Sequence, residues 1–325
     1  MRTLKYVAAS LLAASIVPNS VSAQAFPSRP ITMIVPLAAG GPTDTLARIV
    51  AEGMRESLGQ PVLIENVTGA SATIGVGKAV HAAPDGYTLS IGNWFTHVLN
   101  GAIHPLQYNV LTDFEPIALV ADNPLLIVGR KMLPASDLKE LIAWLKANPD
   151  KATEATSGIG SASHVSGVFF QNVTGARFQF VPYRGAAPAM QDLVAGRIDL
   201  MIDQVSNSLP HVRSDQIKAY AVTAKSRAAV APEIPTVDEA GLPEFHISIW
   251  HALWAPKGTS KEIVAKLNEA VVNALTNANV RQRLVSLGQE IRPANQQTPE
   301  TLAAFHRAEV DKWWPIVKTA GIKVE

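Results

Sequence analysis

At 325 residues the chain exceeds what one hydrophobic core usually holds, so two domains of about 100–150 residues each are expected. It has no cysteine, which excludes a disulfide framework and a lipid-modified cysteine. Its 28 basic residues balance 27 acidic ones, a formal charge of +1, which argues against nucleic acid or an anionic membrane as the main partner. Apolar residues make up 47% of the chain, ample for two cores, and no internal repeat or second long apolar run suggests a solenoid or a membrane span.

Residues 1–23 read as a signal peptide. Arg2 and Lys5 precede an apolar run from Tyr6 to Val17, too short to span a bilayer, and Val21-Ser22-Ala23 suits cleavage after Ala23. The mature chain is therefore expected in the periplasm, and losing those two basic residues turns its formal charge from +1 to −1. The next stretch reads as strand, glycine loop and helix. Ile31, Ile34 and Val35 make a short β-branched run, Gly40-Gly41 break it, and Pro42 suits a first helical position before Leu46, Ile49, Val50, Met54 and Leu58 at helical spacing. Amide N–H groups gathered at such a helix start hold carboxylate or phosphate without a cationic side chain; the alternative is a plain β–α turn that binds nothing.

Further strands are expected at Val62–Ile64, Thr88–Ile91, Ile117–Val120 and Leu125–Val128. Helices separate most of them: one capped by Ser136 and stopped by Pro149, and one over Pro188–Ala195 ended by Gly196 before a strand at Ile198–Ile202. Thr259-Ser260-Lys261-Glu262 reads as a capping box, and Thr298-Pro299 opens a last helix that Pro315 should kink or end. This alternation predicts an α/β fold.

Pro36-Leu37-Ala38-Ala39-Gly40-Gly41-Pro42-Thr43-Asp44 also resembles the receptors of the tripartite tricarboxylate transporter (Bug) family. The likeness continues in order through Ala82-Ala83-Pro84-Asp85-Gly86-Tyr87-Thr88-Leu89, Thr96-His97-Val98-Leu99-Asn100, Ser157–His164, Val181-Pro182-Tyr183-Arg184-Gly185, Asp199–Asp203 and Pro235–Gly241, and so covers nearly all of the mature chain. The resemblance implies a type II periplasmic binding fold: two α/β domains, residues 26–125 plus 249–325 and residues 126–248, joined by strands crossing near Ala121–Pro124 and Ile249-Trp250. It further implies a monomer that holds one small carboxylate in the cleft, closes on it and hands it to a membrane permease, with no cofactor.

By that analogy Leu37, Ala38, Ala39 and Gly41 line one wall with backbone groups, oriented by Thr43 and Asp44. Ser157, Gly160, Ser161 and Ser163 form the facing wall, Tyr183, Arg184 and Gly185 border the cleft, and Asp203 stands at the carboxyl end of a strand, where ligands of open α/β sheets gather. Thr96 follows Trp94-Phe95, and stacking on Trp94 would suit an aromatic dicarboxylate such as terephthalate. Members often carry phenylalanine where Leu37 stands, and Pro42 removes one amide from the loop.

Asp203, Thr96-His97 and Arg184 also fit blander roles as a cap, a satisfied loop pair and a solvated charge. Two other classes of function remain on the sequence: a co-sensor for a membrane signalling protein, and an exported hydrolase. Against the second, Gly160-Ser161-Ala162-Ser163 departs from the G-x-S-x-G elbow, Gly158-Ile159-Gly160 lacks the third glycine of a dinucleotide fingerprint, and the eight histidines show no H-E-x-x-H.

Overall fold

The computed structural model describes residues 26–149 and 151–322; the leader expected over residues 1–23 lies outside them. Strand β1 (Ile31–Val35) runs through a loop into α1 (Pro42–Leu58), whose Pro42 occupies the first turn, where a missing N–H costs nothing. Strands β2 (Val62–Asn66) and β3 (Thr88–Asn93) flank α2 (Thr73–Val80), and one π-helical turn at Phe95–Leu99 leads into α3 (Asn100–Ile103). Strand β4 (Phe114–Arg130) is followed by α4 (Leu138–Ala147), β5 (Thr153–Thr156), α5 (Ala162–Thr174) and β6 (Gln179–Pro182). Next come α6 (Ala186–Val194), β7 (Leu200–Gln204), α7 (Val205–Arg213) and β8 (Ile217–Val222). The chain returns along β9 (Ser248–Pro256) and ends with α8 (Lys261–Thr276), α9 (Ala278–Ser286), β10 (Glu290–Ile291) and α10 (Pro299–Thr319).

The strands form one continuous sheet in the order β2-β1-β3-β9-β4-β7-β5-β6, with β8 and β10 also paired to β4. Strand β4 makes this continuity. From Phe114 to Pro124 it pairs antiparallel with β9, and from Leu125 to Gly129 with β7. The sheet therefore has two halves, one built on β1 and its parallel neighbours β2 and β3, the other on β5 and its parallel neighbours β6 and β7.

Several expectations shift. The strands expected at Ile117–Val120 and Leu125–Val128 are one 17-residue strand, because Pro124 falls where β4 passes from one partner strand to the next and its missing N–H interrupts neither ladder. Asp137, not Ser136, caps α4 by accepting from the Glu140 N–H at 2.8 Å, while the Glu140 carboxylate reaches back to the Ser136 N–H. Ser260, one residue after Thr259, caps α8, and the helix expected from Pro188 begins at Ala186. The helix containing Pro315 continues to Thr319, held down by buried Trp313 and Val317 on either side of it.

One apolar cluster crosses between the halves. It includes Trp94, Val98 and Trp313 from the β3 side and Val165, Phe170 and Phe178 from the β5 side. Aromatic rings run through it in sequence: Trp94 to Trp313 at 4.7 Å, Trp313 to Phe169 at 5.3 Å, Phe169 to Phe245 at 5.4 Å and Phe245 to Phe170 at 5.3 Å. Helix α10 thus belongs to the first half and packs on α5 of the second.

Glu154 on β5 is the costly exception in these cores. It is fully buried beneath α5, where Gly167 leaves room for it, and no side chain among the described residues pairs with it. Burial drives its pKa well above the ordinary carboxyl value, and the Ile202 backbone offsets only part of that. A folded-state pKa above the unfolded one gives stability that is full at low pH and is lost as pH rises from about 4.5 through the folded value. Glu154→Gln is therefore expected to flatten the decline of melting temperature with rising pH, most visibly at neutral pH and above; parallel curves for the two proteins would contradict this.

Candidate functional site

The carboxyl ends of β1, β3, β5 and β7 open onto a common cavity of about 500 Å³ between the two halves. Its floor includes Leu125 of β4 and Ile249 of β9, the strands that join the halves. One wall is the loop from Leu37 and Ala38 to Gly41, Pro42 and Thr43, with Ser71, Asn93 and Phe95 beside it. The other is the loop from Ser157 through Ile159 to Ser163, with Ala186, Ile202, Asp203 and Gln204.

Four helices begin at this cavity: α1 at Pro42, α5 at Ala162, α6 at Ala186 and α7 just after Gln204. The residues that precede α1, α6 and α7 make no side-chain cap, so the first amides of those helices are left to whatever enters. No lysine, arginine or histidine is among the described residues lining the cavity. What it offers an anion is helix ends and hydroxyls, which hold one without a salt bridge.

Each wall is braced from behind. Asp44, buried at the start of α1, accepts from the Gly40 N–H at 2.8 Å and Arg48 Nε at 2.9 Å, and from Asn66 Nδ2 at 2.9 Å; the same Asn66 nitrogen donates to the Leu37 carbonyl at 3.0 Å. Burial alone would raise the Asp44 carboxyl, but hydrogen bonds from Arg48, Gly40 and Asn66 outweigh it and hold the pKa below the usual value. Asp44 is thus a clamp on the loop rather than part of its cavity face. Asp44→Ala is expected to weaken ligand binding about 10- to 100-fold, the equivalent of losing ~1.5–3 kcal/mol of charge-assisted hydrogen bonding. A folded Asp44→Ala variant that titrates like the unmodified protein would contradict it.

Thr43 does face the cavity, and its hydroxyl is fixed from two sides. Asn93 Nδ2 donates to Thr43 Oγ1 at 3.1 Å, and His251 Nε2 lies 3.1 Å from the same oxygen. His251 is fully buried, and burial pushes its pKa down to about 4, so the ring is neutral. Its Nδ1 has no partner among the described residues, which favours the tautomer with the proton on Nε2, since an orphaned lone pair costs less than an orphaned N–H. Thr43 Oγ1 then accepts from both neighbours, and its own proton is left to donate into the cavity.

On the other wall the Ser157 N–H donates to Ser163 Oγ at 2.9 Å, and Ser161 Oγ lies 3.0 Å from Ser163 Oγ. Ser161 caps α5 by accepting from the His164 N–H at 3.3 Å. Gly160 is turned away: its N–H donates to His164 Nδ1 at 3.0 Å, an arrangement that needs the φ of +75° only glycine adopts cheaply.

Of the residues singled out from the sequence, Leu37, Ala38, Gly41, Thr43, Ser157, Ser161, Ser163 and Asp203 line the cavity. Ala39 is exposed at the loop tip, Arg184 is exposed, and Gly185 precedes α6, whose first residue Ala186 lines the cavity instead. Tyr183 turns its hydroxyl to Asp192 at 2.7 Å, and Thr96 bonds Asn93 across the turn after β3. Trp94 is fully buried against Trp313, so it cannot stack on a ligand; the π-helical turn brings the next residue, Phe95, to the cavity.

Ser71 was missed. It sits in a left-handed run, Ala70, Ser71 and Ala72 at φ 44°, 54° and 75°, and Asn100 Nδ2 holds its carbonyl at 2.6 Å. Side chains rarely adopt such angles, so small residues after Gly69 were the one available signal.

A cleft between two half-sheets, floored by the strands that connect them and ringed by helix starts, defines a solute-binding protein. The family model for the tripartite tricarboxylate transporter family receptor matches residues 46–322, and the chain belongs to that family. Protein BugT from Bordetella pertussis is 36% identical over 327 residues, covering 100% of this chain and 99% of that protein. MatC from Rhodopseudomonas palustris, solved with bound malate, is 41% identical with a TM-score of 0.80, covering 90% of this chain and all of that one. A second protein from R. palustris, solved with adipate, is 33% identical with a TM-score of 0.81, covering 92% and 100%. The chain is accordingly a periplasmic-type solute receptor and not an enzyme.

Proposed function

We propose that this protein captures a small aliphatic dicarboxylate in the cleft, closes over it, and presents the closed form to a membrane permease. One observation carries the reading: helix starts from both halves converge on one cavity that has no cationic side chain among its described lining residues. An anion bridging the two walls satisfies amides and hydroxyls on each. Relatives solved with malate and with adipate support a chain of four to six carbons.

Residues 26–125 with 249–325 and residues 126–248 act as the two bodies, and β4 and β9 as the hinge. A ligand held first by one wall gains the second wall's contacts only on closure, so it favours the closed state by that differential affinity. The test is thermal melting of the purified chain against aliphatic dicarboxylates, citrate, acidic amino acids and benzene dicarboxylates. A ligand at 100 times its Kd adds about 2.7 kcal/mol of stability, well within resolution. A shift with aliphatic dicarboxylates, amino-substituted ones included, and none with citrate or the benzene dicarboxylates is expected; no shift with any acid would contradict the reading.

A further inference from the structure

In a cavity otherwise suited to anions, Asp203 is the one acidic side chain among the described lining residues. It stands one residue before the end of β7 and is 6% exposed. Asn207 Nδ2 and Ser208 Oγ both donate to its Oδ2, at 2.7 and 2.8 Å, so that oxygen is committed. The Gln204 backbone N–H also donates to this carboxylate, and Asp203 has no cationic partner among the described residues of the cavity wall. An acidic acceptor in an anion cavity opposes a plain dicarboxylate and rewards a ligand that brings a donor to it.

We propose that Asp203 determines specificity: it accepts a hydrogen bond from a hydroxyl or ammonium group next to a ligand carboxylate, so the cleft prefers 2-hydroxy and 2-amino dicarboxylates to unsubstituted ones. The assignment rests on the dicarboxylate reading above. A site built to bond a substrate hydroxyl or amine rejects the analogue lacking it far more strongly than an apolar pocket discriminates by size, because its buried acceptor is then left unpaired. The structural role open to Asp203, holding the start of α7 through Asn207 and Ser208, makes no such demand on the ligand.

The two roles separate by calorimetric titration with malate, aspartate and succinate of the unmodified protein, Asp203→Asn and Asn207→Ala. Asp203→Asn keeps an oxygen for Asn207 and Ser208, whereas Asn207→Ala keeps the carboxylate and removes one of its supports. The unmodified protein is expected to bind malate or aspartate at least tenfold more tightly than succinate. Asp203→Asn is expected to narrow that ratio to threefold or less, and Asn207→Ala to preserve it. Equal affinity of the unmodified protein for all three acids overturns the proposal even if no variant folds, and so does a ratio unchanged by Asp203→Asn or lost equally in both variants. Failure of all three acids to bind overturns this assignment, and failure of adipate as well overturns the dicarboxylate reading itself.

Discussion

Trp94→Ala is expected to cost the fold about 3–5 kcal/mol, the range for removing a large aromatic side chain from a core. Trp94 is fully buried, and its ring meets Trp313 edge-on at 4.7 Å, the first contact in the row of rings leading through Phe169 to Phe245. The loss therefore falls on the packing of α10 against both halves. Because the Trp94 Nε1–H has no partner among the described residues, the indole contributes as apolar bulk, and Trp94→Phe is expected to recover most of the stability. Denaturant unfolding measures both. A cost below about 1 kcal/mol for Trp94→Ala, the level of an ordinary surface change, would mean that the packing is not as described.

Gly75→Ala is expected to be comparably severe, at about 3 kcal/mol or more, for the opposite reason. A Cβ at Gly75 on α2 would fall 2.8 Å from Pro36 Cα and nearer still to the Val67 carbonyl oxygen. Both obstacles include backbone, which cannot swing aside as a flexible side chain does. Pro36 is the residue immediately before the cavity loop, so the methyl group pushes on the wall itself. Lower stability and weaker ligand binding are expected together, read by melting and titration on one preparation; a variant with unchanged melting temperature would show that α2 does not press on that loop.

How much was legible in the sequence follows from which residues act alone. The β1-loop-α1 unit was readable because its β-branched run, glycine break and Pro42 each force the local conformation. The serine wall was readable because Ser161 caps a helix and its neighbours have little else to bond. Strand β4 was not read as one strand, because Asp122-Asn123-Pro124 looks like a turn until two different partner strands are in place on either side of Pro124. Trp94 and Phe95 could not be told apart, because which of the pair meets the cavity depends on a π-helical turn set by tertiary packing. Ser71 was hidden for a related reason: its left-handed backbone opposes local preference, and Asn100, 29 residues away, helps hold it. Asp44 was read as orienting the loop from the helix start, but the part Asn66 plays in that clamp was hidden, because it comes from the next strand.

The central claim is that this cleft recognises negative charge through helix ends and hydroxyls in place of cationic side chains. Calorimetric titration of the purified chain with a series from succinate through malate to adipate, each paired with its uncharged dimethyl ester, tests it most directly. The account predicts saturable binding of one molecule per chain for at least one of the acids and no saturable heat for the matching ester. An ester that binds as tightly as its acid, or a complete series with no saturable binding, would contradict it.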